Sequence, residues 1–141
     1  MKILQYDSIV SIIAELCIQS NINLPMDVSD ALKKAVKDEQ NVLGKSILEQ
    51  CIENAEIASN EKIPICQDTG LAVFFIKFGV NVKVEGRSGL LSDAINDGVR
   101  KGYEEGFLRK SVLYDPLYER KNTGDNTPAI IHFEFVKGDN L

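Results

Sequence analysis

The spacing of apolar residues changes at Pro64, and this change limits the possible fold more than any other feature of the chain. Before it, apolar side chains recur every three or four residues in three segments, from about residue 8 to 21, Val28 to Asp38 and Val42 to Ser59. This period is typical of helices that bury one face. The positions expected to face a core are Ile9, Ile12, Ile13, Leu16, Cys17, Ala31, Leu32, Ala35, Val36, Leu43, Ile47, Leu48, Cys51, Ile52 and Ala55.

After Pro64 the pattern is mostly that of strands. Leu71–Phe78 has little polarity, which predicts a strand covered on both faces, and Val82–Glu85 alternates like a short strand. Ala129–Val136 alternates more clearly and predicts a strand with one open face. Its apolar face would carry Ile131, Phe133 and Phe135, and its polar face His132 and Glu134.

One further helix is expected among the strands, from Ser88 to about Tyr103, followed by an irregular segment over 107–128. Helices before and between a few strands indicate an α+β fold in which N-terminal helices pack on a small sheet. We expect one domain over residues 1–141, with a helical layer at about 7–60 and a strand and helix layer at about 63–137.

Composition excludes several classes of partner. The chain has 141 residues and a net charge of -5, and its basic residues are scattered, which argues against binding to nucleic acid or an anionic membrane. No apolar run reaches the ~18 residues of a membrane span, and the N-terminus lacks the pattern of a signal peptide. We therefore expect a cytoplasmic protein whose three cysteines are reduced.

The segment Ile63–Gly70, with the sequence IPICQDTG, concentrates the reactive side chains of the chain. Cys66, Gln67 and Asp68 follow a proline and precede a Thr-Gly turn that leads into an apolar strand, and such loops often carry function. Cys17 and Cys51 occupy positions of helical apolar faces, so we expect both to pack in a core. From the residues alone, Cys66 can be a metal ligand, a catalytic thiol or a structural thiol in a loop.

Two motifs in this order resemble the iron–sulfur hydro-lyases, namely class I fumarate hydratases and L(+)-tartrate dehydratases. The first motif is Ile63–Gly70, and the second is Asn122–Ala129, with the sequence NTGDNTPA. The similarity is to the N-terminal part of the family's α subunit, and it extends to Asn54–Ala58 and to Leu108–Ser111.

The resemblance implies that Cys66 is one of three thiolate ligands to a [4Fe-4S] cluster, whose open iron acts as a Lewis acid. It implies that Gln67 orients a substrate carboxylate and that Asp68 bonds the hydroxyl leaving group and takes part in its protonation. Arg109 would clamp a carboxylate with its planar fork of donors. Fumarate is the first substrate expected and tartrate the alternative.

The residues also admit plainer roles. Asp68 can cap the Thr-Gly turn, Arg109 can be a surface arginine, and the run Asn122–Asn126 is expected to be a structural turn beside the site. The other two cluster cysteines and the β subunit of the family are not in the sequence, so we expect this chain to be inactive alone and the cluster not to assemble on it. Expected partners are the remainder of the α subunit, a β subunit and a dicarboxylate, with a homo-oligomer possible; the alternative is a metal-free α+β binding domain.

Overall fold

The computed structural model of the chain describes residues 1–66 and 70–140. Four helices and four strands follow one another within these residues, and α4 lies between two strands, which confirms the predicted α+β class. In chain order they are β1 (Lys2–Gln5), α1 (Tyr6–Ile22), α2 (Met26–Asp38), α3 (Val42–Glu61), β2 (Val73–Gly79), β3 (Val82–Glu85), α4 (Leu91–Glu105) and β4 (Ile130–Val136).

The chain forms two compact units. The first, called here the mixed unit, comprises Met1–Ile18 and Asp68–Leu141; the second, the helical unit, comprises Gln19–Gln67. The prediction of one domain over residues 1–141 stays a prediction.

The core of the mixed unit is built around α1 and α4. Its fully buried members include Ala94, Ile95 and Val99 on α4, and α1 adds Ile9 and Ile13 to the same cluster. α1 and α4 are closely packed because α4 carries glycines on the facing side. A Cβ atom at Gly98 would lie 2.5 Å from Cβ of Ile13, and one at Gly102 would lie 2.7 Å from the carbonyl oxygen of Ala14.

Two two-stranded parallel sheets belong to the mixed unit, among the residues that the structure describes. β1 pairs with β3, and β2 pairs with β4, in a register that sets Val73 opposite Ile130 and Gly79 opposite Val136. The short strand β1 was not predicted. The predicted faces of β4 hold in part: Ile131 packs against the core and His132 is exposed, but Phe133 and Phe135 of the expected apolar face are 43% and 72% exposed.

β2 differs from its prediction. It was expected to be covered on both faces, but alternate residues are exposed, and the side chain of Phe75 is 81% accessible. On this open face the ring of Phe75 stacks on His132 with centroids 4.8 Å apart, and Lys77 lies 3.9 Å from the Glu134 carboxylate. His132 is therefore an exposed strand residue, as predicted.

The helical unit contains α2 and α3, which pack against each other. Asn41 caps α3: its side-chain oxygen accepts hydrogen bonds from the N–H groups of Leu43 and Gly44. The expected inward face of α3 is wrong in part, because Leu43, Ile47 and Cys51 are exposed.

Ile12 and Leu16 on α1 are exposed too, although they were expected in a core. The apolar faces of α1 and α3 are wider than the surface that packs within the described residues. Helical periodicity marks such a face but does not say how much of it is covered.

Within the stretch from Tyr6 to Asp38, an 18-residue window has a mean hydropathy of 1.3 and is apolar enough to pass as a membrane span. The structure breaks this stretch at residues 23–25 into α1 and α2. α1 also contributes buried residues to the core of the mixed unit. A core helix gives the same weak signal by length and composition alone.

Candidate functional site

Cys66 lies at the end of an irregular segment that follows α3 and is held to the helical unit by its backbone. The helix ends at Glu61 and is followed by the C-cap residue Lys62, whose backbone is left-handed with φ of 58°. The Ile65 N–H then donates to the carbonyl of Asn21 at 2.8 Å, and the Cys66 N–H donates to Oδ1 of Asn54 at 3.0 Å. Cys66 itself is exposed. Its thiol is therefore accessible on a backbone that is fixed up to the cysteine.

Asn54 was noticed in the sequence only as part of the segment Asn54–Ala58 that resembles the family. In the structure, Asn54 lies on α3, twelve positions before Cys66, and its amide oxygen accepts a hydrogen bond from the N–H of Cys66. Asn54 therefore holds the backbone at Cys66. A polar residue on a helical period gives no sign of such a contact, so sequence reasoning could not have assigned it.

Gln67 and Asp68, the predicted substrate and catalytic residues, lie outside the described residues. Their roles stay predictions. The description resumes at Gly70, which is exposed and belongs to the mixed unit.

Arg109 lies in the mixed unit, on the irregular segment that follows α4, and is exposed. Its neighbours fix the backbone on both sides. Leu108 is buried and its N–H donates to the carbonyl of Tyr103 at 3.0 Å. Beyond Arg109, the N–H groups of Ser111 and Val112 donate to Oδ1 of Asn126 at 2.6 and 2.9 Å. An exposed arginine on a fixed backbone suits a carboxylate clamp, and the role stays a prediction.

The second motif, Asn122–Ala129, is attached to α4 by ionic and polar contacts. Nε of Arg100 donates to Oδ2 of Asp125 at 2.7 Å, and Oδ1 of Asp125 accepts the N–H and hydroxyl of Thr127. The N–H of Ala129 donates to Oδ1 of Asn96 at 2.8 Å. The motif is therefore a braced turn, and its position is set by α4.

The same arginine continues the network toward α1. Nη1 of Arg100 donates to Oδ1 of Asp97 at 2.6 Å, and the other oxygen of Asp97 accepts the hydroxyl of Tyr6 and Nη1 of Arg87. Burial raises the pKa of Asp97, but hydrogen bonds from Tyr6 and Arg100 outweigh it, so the net pKa is lowered. Asp97 and Arg100 are three residues apart on α4, a spacing that in hindsight indicates an ion pair.

Burial raises the pKa of Asp125 as well, and here too the hydrogen bonds from Arg100 and Thr127 are stronger and lower it to about 2. The carboxylate is thus charged at neutral pH and works as a brace. It is not placed as a proton donor.

The three cysteines differ. Cys17 is buried in the core of the mixed unit, as predicted, and burial raises the pKa of its thiol to about 11. Cys51 was expected in a core and is exposed on α3, so that prediction is wrong. Its position follows the helical period of Leu43 and Ile47, which are exposed as well.

An iron–sulfur cluster needs several thiolates in one place. Cys66, exposed and on a backbone fixed by Asn54, fits the part of one ligand. Residues 1–66 and 70–140 contain no group of three or more histidine, cysteine or acidic side chains that could hold a metal ion. The described residues therefore do not form a whole cluster site by themselves.

Comparison with known proteins decides the family. The family model described as fumarate hydratase (Fumerase) matches residues 10–141, which include both motifs. The chain belongs to this family. The match also confirms the resemblance drawn from Ile63–Gly70 and Asn122–Ala129.

Individual relatives of the chain are consistent with this family. A protein of Methanocaldococcus jannaschii, provisionally named L(+)-tartrate dehydratase subunit alpha, is 36% identical over 129 residues, which are 90% of this chain and 45% of the relative. The L(+)-tartrate dehydratase subunit alpha of Escherichia coli K12 is 28% identical over 126 residues, 88% of this chain and 41% of the relative. The protein of that name from Shigella sonnei matches with the same figures. The chain thus spans less than half the length of these relatives.

Proposed function

We propose that this chain is the N-terminal portion of the α subunit of an iron–sulfur-dependent hydro-lyase that adds or removes water on a small dicarboxylate. The observation that carries the proposal is the family match over residues 10–141, in which Cys66 lies accessible on a fixed backbone. Hydro-lyase chemistry in general follows from the family. The iron–sulfur cluster, the substrate and the assembly are the proposed parts.

In this proposal Cys66 holds one iron–sulfur ligand position, and the remaining ligands come from polypeptide outside the chain. When bound, the cluster supplies a Lewis-acidic iron. Arg109 binds a carboxylate of the substrate through its paired N–H donors, with its backbone fixed by Leu108 and by Asn126. Gln67 orients a carboxylate, and Asp68 hydrogen-bonds the hydroxyl group that leaves or arrives as water and handles its proton.

Hydration of fumarate to malate is the first candidate reaction, in keeping with the family's description. Dehydration of L(+)-tartrate is the second, and the names of the curated relatives favour it. Both substrates are four-carbon dicarboxylates, so one carboxylate clamp serves either. The described residues provide no contact that chooses between them.

The chain is proposed to be inactive alone. The relatives are named as alpha subunits, which implies a further subunit in those enzymes, and more than half of each relative lies outside the match. The proposed partners are therefore the remainder of an α subunit and a β subunit, with assembly in the cytoplasm.

The test is reconstitution. The chain is combined under anaerobic conditions, with iron and sulfide, with the remaining portion of the α subunit and the partner subunit of the archaeal relative. Water addition to fumarate and water loss from L(+)-tartrate are then measured together with the iron bound per assembly. The expected result is activity on one of the two substrates that needs every component.

Three serine variants make the test specific to the ligand. Cys66→Ser should abolish activity and lower the iron bound, whereas Cys51→Ser is the matched control, because Cys51 is also an exposed thiol of the helical unit. Loss of iron in Cys51→Ser or Cys17→Ser, with Cys66→Ser unaffected, would overturn the ligand assignment. A complete assembly that binds dicarboxylate without iron and turns over neither substrate would favour a metal-free binding domain instead.

A further inference from the structure

Asn126 is the one polar residue that is completely buried among residues 1–66 and 70–140. It belongs to the second motif, between the ion-paired Asp125 and Thr127. From the sequence, the run Asn122–Asn126 was expected only to form a structural turn. A fully buried amide is costly unless its donors and acceptors are matched, so its partners show what the position is for.

Asn126 makes three contacts with backbone groups on two different segments of the mixed unit, and it also hydrogen-bonds the side chain of Tyr103 on α4. Its Oδ1 accepts the N–H groups of Ser111 at 2.6 Å and Val112 at 2.9 Å, directly after Arg109. Its Nδ2 donates to the carbonyl oxygen of Gly70 at 3.5 Å, the longest of the three contacts. Gly70 is the last residue of the first motif, Ile63–Gly70. One side chain thus connects the end of the first motif to the segment that carries Arg109.

The chemistry of an amide is required at this place. The site needs an acceptor for two N–H groups and a donor for a carbonyl, and an asparagine presents both on one short side chain. A carboxylate would accept on both sides and could not donate to Gly70. The backbone of Asn126 has φ of 60°, a left-handed conformation that asparagine tolerates better than most residues.

The position of Asn126 is itself fixed. Asp125 is held by Arg100 of α4, and Ala129 is held by Asn96 of the same helix. The amide is therefore carried by a turn that is braced against the core helix of the mixed unit, and it can impose that position on both segments it contacts.

We propose that Asn126 is a positioning residue, which holds Gly70, at the end of the first motif, and the backbone after Arg109 in one fixed geometry. The tether is a property of this chain. Its catalytic consequence rests on the function proposed above, because only there do Asp68 and Arg109 meet the same substrate.

Two substitutions separate the two arms of the tether. Asn126→Asp keeps an oxygen that accepts from Ser111 and Val112 and replaces the donor to Gly70 with a second acceptor. Asn126→Gly keeps the left-handed backbone at no steric cost and removes all three contacts. Asn122→Asp is the matched control, since Asn122 is an exposed asparagine of the same motif that donates to the carbonyl of Lys110 at 3.0 Å.

The measurement on the chain itself is ¹⁵N relaxation of the backbone amides of Gly70 and Ser111. In Asn126→Asp, the order parameter of Gly70 should fall from the rigid range of about 0.85 toward about 0.6, while that of Ser111 stays high. In Asn126→Gly both should fall. In Asn122→Asp, Gly70 should match the wild type.

An unchanged Gly70 in Asn126→Asp and Asn126→Gly, with both variants folded by circular dichroism, would overturn the tether. If Asn126→Gly does not fold, Asn126→Asp decides the matter alone. Equal loosening of Gly70 by Asn122→Asp would also overturn it, because the effect would then belong to the motif as a whole.

In the reconstituted enzyme, Asn126→Asp should lower kcat about ten- to a hundredfold with KM near the wild-type value, since it displaces the Asp68 side of the site. Asn126→Gly should also raise KM, because it frees the segment after Arg109. A purely structural role would lower the amount of folded enzyme and leave both constants unchanged. If the relaxation results hold but no assembly turns over either substrate, the tether stands and the proposed function fails.

Discussion

The two units of the molecule differ in how much of their apolar surface they bury. In the mixed unit, α4 alone has six buried residues, and Gly98 and Gly102 bring α1 within backbone contact of it. In the helical unit, α2 has no buried residue and α3 has only Ala58. The unit that carries Arg109 and the braced motif has a tight core, whereas the unit that carries Cys66 is held mainly by the packing of two helices. The backbone around Arg109 is therefore supported by a buried core, whereas the backbone around Cys66 is supported by two loosely packed helices.

Thiol reactivity should show the largest contrast between the units. Cys17 of the mixed unit is buried, and its raised pKa of about 11 leaves its thiolate fraction near pH 8 about a hundredfold below that of an ordinary thiol. Cys51 and Cys66 are exposed. In the native chain, an alkylating reagent should therefore modify two cysteines at least about a hundredfold faster than the third. Peptide mapping by mass spectrometry identifies them, with the chain in denaturant as control; fast modification of Cys17 would contradict the packing of the mixed unit.

Truncating one isoleucine in each unit tests the packing directly. Ile95→Ala removes a side chain that is completely buried on α4 and should lower the free energy of unfolding by about 3 kcal/mol. Ile47→Ala makes the same change on α3, where the side chain is 52% exposed, and should cost less than about 1 kcal/mol. Urea unfolding followed by circular dichroism gives both values. Equal losses would mean that the helical unit is packed as tightly as the mixed one.

Adding a methyl group tests the same difference in packing between the two units, by filling space instead of emptying it. Gly98→Ala places a Cβ atom 2.5 Å from Cβ of Ile13 and should destabilise the chain by about 2 kcal/mol. In Gly44→Ala the new atom meets only the flexible end of Glu39, at 3.1 Å, and the change should stay within about 0.5 kcal/mol. The melting temperatures of the two variants provide the comparison. A tolerated Gly98→Ala would show that α1 and α4 can move apart.

Low pH should weaken the ion pair between Asp125 and Arg100 of α4. The pKa of Asp125 is lowered to about 2 in the folded chain, below the ~3.9 of an unfolded aspartate. Its stabilisation is therefore fully present above about pH 4 and is lost as the pH falls through about 2. The contribution at neutral pH should be about 1 to 2 kcal/mol, since the side chain is partly exposed.

The measurement compares the wild type with Asp125→Asn between pH 6 and 2.5. The difference in their free energies of unfolding should shrink as the pH falls. Arg100→Gln is the second comparison: it removes the same ion pair from the other side, together with the pair to Asp97, and should flatten the same part of the profile while lowering stability further at neutral pH. A difference that is constant with pH would contradict the ion pair as the source of stability.

Much of the fold could be predicted because its signals are local. The helical period before Pro64 predicted α1, α2 and α3, and the alternation of Ala129–Val136 predicted the strand β4, though not the exposure of Phe133 and Phe135. What failed depended on distant contacts. β1 is a four-residue strand that exists only by pairing with β3, and the exposure of Leu43 depends on how much polypeptide covers α3.

The candidate site likewise has one part that could be predicted from the sequence and another that could not. Cys66 was found from its surroundings in the sequence, since a cysteine outside helical periodicity beside polar residues is unusual in a loop. Its supports were not found. Asn54, Arg100 and Asn126 act through hydrogen bonds to segments far along the chain, and residues that bind such distant segments have no characteristic spacing from them.

The parallel pairing of β2 with β4 has a consequence for the order of folding. β3, α4 and the whole irregular segment lie between the two strands, so during synthesis β2 leaves the ribosome well before its partner. Pairing of such distant segments is slow because the chain between them must first be ordered. Until then Phe74, Ile76 and Phe78 have no strand beside them. The unpaired strand β2 thus leaves an apolar segment of a nascent chain open to aggregation until β4 has been made.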